Sequence, residues 1–412
     1  MNNGIQNTMM QKLLFTLFCC LYVSVASAQQ NYLVIMRDQF EAPILKGRQE
    51  NADRQQLFSG NQAERSRKVE RTLNFARSKG ITAKSTFVDL RVGFEAQLTD
   101  QQINDLRTDP NVQIVQEDFR LQGEPIQQGE PIQQGEPIQQ AWNYNEQTKS
   151  SCAVNLVGGS ANSSSRKESI WVLDSGIDKN HRDLRVNEPF SISFVDGEAA
   201  TIDYTGHGTH CAGIAAGKGT GQFGCNGVSS GAEVIPVKVI DKTGVGSWSR
   251  LLKALDHVIK YGQPGDVVMM SLGEYNVSNC ATTNSVLTDV IKEIGRKGLF
   301  VVMSAGNSEG DANNNLPGCI SGFNIFTVAS VDFTCEGIQG CSAFSNLGMP
   351  AVDWVAPGSG VFSTYPNNRY AVMSGTSMAC ALVAGIIHAR NRPPSASKLI
   401  ECVGINYYLP SR

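Results

Sequence analysis

Two rhythms of apolar residues divide this chain. Between 29 and 121 the apolar runs are short and broken by charge. The run 31–38 (NYLVIMRD) reads as a strand. In 63–80 (AERSRKVERTLNFARSKG), Val69, Leu73 and Phe75 fall near helical spacing and Gly80 supplies the stop. Strand material follows over 85–99 (STFVDLRVGFEAQLT), a short helix over 100–110 with Pro110 beyond it, and a last strand over 111–118. Helices alternating with strands on this scale predict a small α+β sandwich.

From 141 onward the rhythm changes. Continuous apolar runs at 169–178, 233–241, 266–274, 298–307 and 324–332 read as buried strands. Helical patterns at 249–262 and 285–298 lie between them, each closed by glycine. This predicts an α/β unit, a mainly parallel sheet with helices on both faces. Between the two units GEPIQQ occurs three times, at 123–128, 129–134 and 135–140. A Pro/Gly/Gln repeat with almost no apolar content builds no core and reads as a tether.

Composition narrows the class. The chain has 412 residues, 41% hydrophobic and 18% charged, which suits globular folding. A formal charge of −3 without a basic block argues against a nucleic-acid partner. Lys12, the apolar run 13–25 and Ala-Ser-Ala at 26–28 read as an export signal cleaved after Ala28. Bulky Phe18 before Cys19 and Cys20 argues against lipid modification there. The run is too short to span a bilayer, and no later stretch is long enough, so no membrane partner is expected. Of 11 cysteines, nine lie beyond the signal, an odd number that leaves at least one unpaired in an oxidising compartment. There is no CxxC pair for zinc. Cys335 and Cys341 are close enough to close a small local loop.

Four polar residues carry the chemistry. Asp174 ends an apolar strand, where a carboxylate needs a partner. His207 sits between two glycines before a small-residue run. Asn307 follows a strand end and can cap locally or donate to an oxyanion. Ser377 opens another small-residue run (SGTSMACALVAG, 374–385), as a helix cap or a nucleophile. Singly, each has a bland structural reading. Together they are a hydroxyl, a base to take its proton, a carboxylate to fix that base, and an amide beside a helix N-terminus. Such groups collect at the carboxyl ends of parallel strands. GTGQFG at 219–224 fits a dinucleotide loop by letter but links no strand to a helix.

On these residues the chain resembles the subtilisin-like serine proteases, nearest the proteinase K branch. VLDSGID, GHGTHCAGIAAG, VVMSAGN and SGTSMA match the family's motifs around the aspartate, histidine, oxyanion asparagine and serine, over roughly 165–390. YLVIMRD, GFEAQLT and DPNVQIVQED resemble its inhibitor-type propeptide. The resemblance implies a subtilisin-like fold behind a ferredoxin-like propeptide. It implies a secreted, monomeric serine endopeptidase made as an autoprocessing zymogen, acting on proteins or peptides. The expected division is signal 1–28, inhibitory and chaperone propeptide 29–121, linker and start of the mature chain 122–150, and catalytic domain 151–412. Ser271, Leu272 and Gly273 would line the primary specificity pocket, with Ser304, Ala305 and Gly306 as its opposite wall. Gly244, Val245 and Gly246 would pair with substrate backbone. Cys211 would be the unpaired cysteine beside the histidine. No cofactor is needed for the chemistry; Asp332 resembles a calcium-binding aspartate.

Departures from the family pattern are also visible. Ala381 and Leu382 stand where Pro and His are usual, which implies altered packing behind the serine. Cys380 beside them is a disulfide candidate. Glu274 replaces a common glycine at the pocket mouth, and Arg182 a proline. Two other readings share the scaffold. A secreted binding protein on a dead protease would have lost a catalytic residue, and none is lost. A narrow processing or peptide-ligating enzyme would share the acyl-enzyme chemistry and differ in its products.

Overall fold

The computed structural model describes residues 30–37, 62–88, 91–123, 127–128, 143–220, 224–274, 280 and 285–412. The export signal and repeat copies two and three lie outside the described residues. Strands Ala83–Phe87, Gly93–Gln97, Asn31–Met36 and Val112–Glu117 form an antiparallel sheet in that order. With helices Gln62–Ser78 and Asp100–Thr108 they give the β-α-β-β-α-β order of a ferredoxin-like unit. Ala76, Ile103 and Leu106 pack against Val34, Phe94 and Ala96. The polar segment after Thr99 turns helical because Thr99 and Gln102 cap each other reciprocally.

The larger sheet runs Arg185–Val186, Glu233–Lys238, Ser169–Asp174, Val267–Met270, Phe300–Ser304, Ile325–Thr334, Trp354–Pro357, Ile405–Ser411, Ser395–Cys402. Its pairings are parallel from the first edge through Trp354–Pro357 and its contact with Ile405–Ser411. Alternate residues of the central strand serve two cores. Ile170 and Val172 join the core shared with helices His207–Ala216 and Thr376–Arg390. Trp171 and Leu173 join that of Trp248–Tyr261 and Ser285–Arg296. The chain builds outward from Ser169–Asp174 to Glu233–Lys238, then crosses to the other side with Val267–Met270. Strand order therefore reverses at Asp174, the kind of place where parallel sheets open a crevice.

The disulfide pattern and the first repeat copy differ from the sequence reading. Cys335 and Cys341 do not close a local loop: Cys335 bonds Cys152, and strand Gly337–Cys341 carries Cys341 to Cys402. A third disulfide joins Cys280 and Cys319, and Cys380, with Cys211 and Cys225, is a buried thiol outside any disulfide. Ala381 and Leu382 lie within the continuous helix Thr376–Arg390, and both are fully buried. The first repeat copy is also more than a tether. Strand Arg120–Gly123 runs antiparallel between Val245–Ser247 and Leu272–Gly273, and Gln127–Gln128 pairs with Arg369–Ser374.

The N-terminal unit docks on helix Trp248–Tyr261. Asp118 accepts from Ser249 N at 2.8 Å, Val88 N donates to Asp256 at 3.1 Å, and Lys253 pairs with Glu95 at 3.3 Å. Burial, only partly offset by its Ser249 bonds, raises the pKa of Asp118. Among the described residues no helix is long and apolar enough to cross a membrane.

Candidate active site

Asp174 is held at the end of the central strand with its carboxylate buried. Its Oδ1 accepts from Ser175 N at 2.6 Å and lies 2.8 Å from His207 Nδ1. That contact places the imidazole proton on Nδ1 and leaves the Nε2 lone pair as an acceptor. His207 opens helix His207–Ala216 because Gly206 takes the left-handed turn before it, at φ 85°. Burial, the largest single influence, opposes a charge on His207, but the Asp174 carboxylate and Cys211 together outweigh it and raise the imidazole pKa well above its ordinary value.

Sequence reasoning missed Asp203. Its buried carboxylate accepts from Ser175 Oγ at 2.9 Å, Gly206 N at 2.9 Å, Thr209 N at 2.9 Å and Thr209 Oγ1 at 2.7 Å. It thereby ties the turn after Asp174 to the helix that begins at His207. The available signal was an aspartate just ahead of a helix start.

Ser377 lies in the first turn of helix Thr376–Arg390, fully buried, and its Oγ has no hydrogen-bond partner. Ser271 Oγ donates to Ser377 O at 3.3 Å, and Cys211 Sγ lies 3.7 Å from His207 Nε2. Asn307 Oδ1 accepts from Thr376 N at 2.8 Å, which leaves Nδ2 as a buried donor without a partner. A Cβ built on Gly375 would sit 3.3 Å from Asn307 Nδ2 and 3.7 Å from Ser377 N. Two donors thus face one small space that glycine keeps open, as an oxyanion requires. Gly375→Ala is expected to crowd it and lower kcat by about 10²-fold, with a lowered melting temperature as well because Gly375, at φ 159° and ψ 160°, holds a backbone conformation that side chains rarely adopt. Peptide hydrolysis beside a thermal melt checks this.

The remaining candidates fall in two groups. Val245 and Gly246 pair with one side of strand Arg120–Gly123 and Leu272 and Gly273 with the other, while Gly244 and Ser271 lie just outside these pairings. Ser304 ends strand Phe300–Ser304, Ala305 and Gly306 follow it, and Gly306 N donates to Thr376 Oγ1 at 3.1 Å beside the serine. Glu274 is tied down: its Oε2 accepts from Trp248 Nε1 at 3.2 Å. Asp332 stands apart on strand Ile325–Thr334, its Oδ1 accepting from Ser342 Oγ at 2.7 Å. Among the described residues the trio of potential metal ligands within mutual reach is Asp174, His207 and Cys211, without Asp332. Asp332 is one carboxylate with one oxygen engaged, so a calcium ion there would have to take its remaining ligands from backbone carbonyls.

A parallel α/β sheet carrying a carboxylate–imidazole pair, a helix-end serine and two unpartnered donors holds the groups that nucleophilic serine catalysis uses. The family model described as Subtilase family matches residues 165–391, more than half of the chain. The chain belongs to the subtilase family. It is 36% identical over 217 residues to thermitase of Thermoactinomyces vulgaris, covering 53% of this chain and 72% of thermitase. It is 35% identical over 219 residues to the thermophilic serine proteinase of Bacillus sp. (strain AK1), covering 53% of this chain and 51% of that protein. With alkaline serine exoprotease A of Vibrio alginolyticus it shares 29% identity over 307 residues, 74% of this chain and 53% of that one. The chain thus spans about half the length of the latter two relatives. A solved structure of a cold-adapted subtilisin-like serine proteinase aligns with a TM-score of 0.49 at 29% identity, over 59% of this chain and 85% of that chain.

Proposed function

We propose that this chain is a secreted serine endopeptidase made as an autoprocessing zymogen, in which Asp174, His207 and Ser377 form the triad and Asn307 is an oxyanion donor. His207 Nε2 takes the Ser377 proton as Oγ attacks the substrate carbonyl carbon. Asn307 Nδ2 and Ser377 N–H receive the negative oxygen. The intermediate collapses as His207 returns the proton to the leaving amine, giving an acyl-enzyme. Water then attacks, His207 takes its proton, and the serine is restored with release of the carboxylate product. Asp174 holds the tautomer and stabilises the imidazolium. No metal takes part in any step.

The observation that carries this reading is the tail of the N-terminal unit. Arg120–Gly123 fills the gap between Val245–Ser247 and Leu272–Gly273 as an added strand, with Leu121 fully buried. An extended peptide there takes main-chain bonds from both sides, as a substrate would. Residues 29–121 then act as the intramolecular inhibitor, and the mature catalytic domain lies beyond the repeats, over 151–412. Export is supported by the sequence of residues 1–28 and by three disulfides, which persist in oxidising compartments. Calcium at Asp332 is not part of the reading.

Mass spectrometry of the secreted protein tests it. Wild type should lose its N-terminal unit, while Ser377→Ala stays joined in a protease-free host; normal processing of that variant would falsify autoprocessing. The raised His207 pKa sets a second expectation. The base works only when neutral, so kcat/KM should rise with pH along a limb displaced above the ordinary histidine value of about 6.5. A pH profile of kcat/KM with its midpoint at or below that value would contradict it.

A further inference from the structure

We propose that Asn315 sets the preference of the primary pocket, selecting a side chain tipped by a carbonyl oxygen, glutamine or glutamate, before the cleaved bond. The inference rests on the pocket walls of the proposed function, Ser271–Gly273 and Ser304–Gly306. Asn315 is 2% exposed, and its Nδ2 is buried without a hydrogen-bond partner. A Cβ on Gly273 would lie 3.0 Å from that Nδ2, and one on Gly306 also 3.0 Å from it. The amide therefore sits between the two walls; a Cβ on Gly273 would also lie 3.1 Å from its Oδ1, and one on Gly306 would meet Asn346 Nδ2 first.

Its placement is rigid. Asn315 N donates to Ala312 O at 3.1 Å, and Cys319 N donates to Asn315 O at 2.8 Å. The next residue, Leu316, exchanges backbone bonds with Glu274 at 2.8 and 3.0 Å, locking the segment to the wall that carries Gly273. Cys319 is further tied by its disulfide to Cys280. A fixed, buried donor left unmade is unfavourable until an acceptor arrives. An apolar side chain would bury it unmade; a carbonyl-tipped one would complete it. The chain's own tail is consistent with this. Its strand ends at Gly123 opposite Leu272, and Gly is followed by Glu in all three repeat copies.

The test uses the mature protein with succinyl-Ala-Ala-Gly-X-p-nitroanilides, where X is Gln, Glu, Leu, Phe or Lys. Wild type should favour Gln or Glu over Leu and Phe by about tenfold in kcat/KM, the scale of one hydrogen bond. Asn315→Leu should reverse that ranking. Asn315→Asp, which keeps the shape and replaces the donor by an acceptor, should move the preference to Lys, and it carries the test if the leucine variant does not fold. A wild type that prefers Leu or Phe, or variants that leave the ranking unchanged, overturn the assignment. Labelling by a fluorophosphonate, which needs no pocket side chain, reports separately on Ser377. If wild type is not labelled, the endopeptidase reading fails. The assignment is then decided by fluorescence polarisation, where tighter binding of Ala-Ala-Gly-Gln than Ala-Ala-Gly-Leu supports it and equal binding overturns it.

Discussion

His207→Ala, matured in trans by wild-type enzyme and purified through its own tag, is expected to have a kcat about 10⁶-fold lower than wild type. That is the size of loss known for subtilisin when one member of its Ser–His unit is removed, because the remaining parts no longer act together. In the structure Ser377 Oγ has no hydrogen-bond partner, so no neighbouring group stands in for the imidazole. Residual rate over water should survive, since Asn307 Nδ2 and the helix N-terminus are untouched. Asp174→Asn should cost less, about 10⁴-fold, by letting the imidazole proton sit on the wrong nitrogen. Single-turnover assays with a peptide anilide would rank the two. A His207→Ala enzyme within tenfold of wild type would remove histidine from the mechanism. An Asp174→Asn loss as large as that of His207→Ala would mean that Asp174 does more than hold the tautomer.

Much of this architecture was legible in the chain because burial on both faces leaves few choices of residue. SIWVLD, VVMM and FVVMS are apolar runs bounded by polar punctuation, and each is a parallel strand buried throughout. The proposed catalytic residues were legible for a related reason: each stands where such a strand or a small-residue helix changes direction. Less visible were features set by distant contacts. Cys152 and Cys335 are 183 residues apart, so nothing local distinguishes that pairing from a loop between Cys335 and Cys341. The C-terminal hairpin went unread because Ser395–Cys402 is mostly exposed and shows no apolar rhythm. The repeat was read as a tether because it has no apolar stripe, yet pairing through the backbone requires none. Asn315 lies in an Asn-rich turn segment whose letters suggest only a loop. Its significance comes from two glycines, Gly273 and Gly306, brought beside it by separate strands.

Lys238 is the clearest case of a residue whose letter misleads, and it carries the largest stability effect expected for a single side chain. A lysine at the end of a strand suggests solvent, yet Lys238 is fully buried where Glu233–Lys238 pairs with Asp174. Its Nζ donates to Ser175 O, lies 3.1 Å from Glu198 Oε2, and sits over the Tyr204 ring at 5.5 Å. Ser175 in turn donates its N–H to Asp174 and its hydroxyl to Asp203, so the ammonium backs the turn that carries the proposed triad's aspartate. Lys238→Met keeps the stem and removes the charge, leaving the Glu198 carboxylate and the Ser175 carbonyl short of a partner. Breaking a buried pair from one side costs about 3–5 kcal/mol, or a melting temperature lower by about 10 °C for a domain of this size. Measured in a Ser377→Ala background, where self-digestion is absent, the melt should show that drop. Adding Glu198→Gln should recover part of it, since a neutral amide tolerates burial better than an unpaired carboxylate. A full-length drop with no recovery would assign the effect to the Ser175 carbonyl alone. No drop at all would mean that the ammonium contributes nothing to holding Asp174 in place.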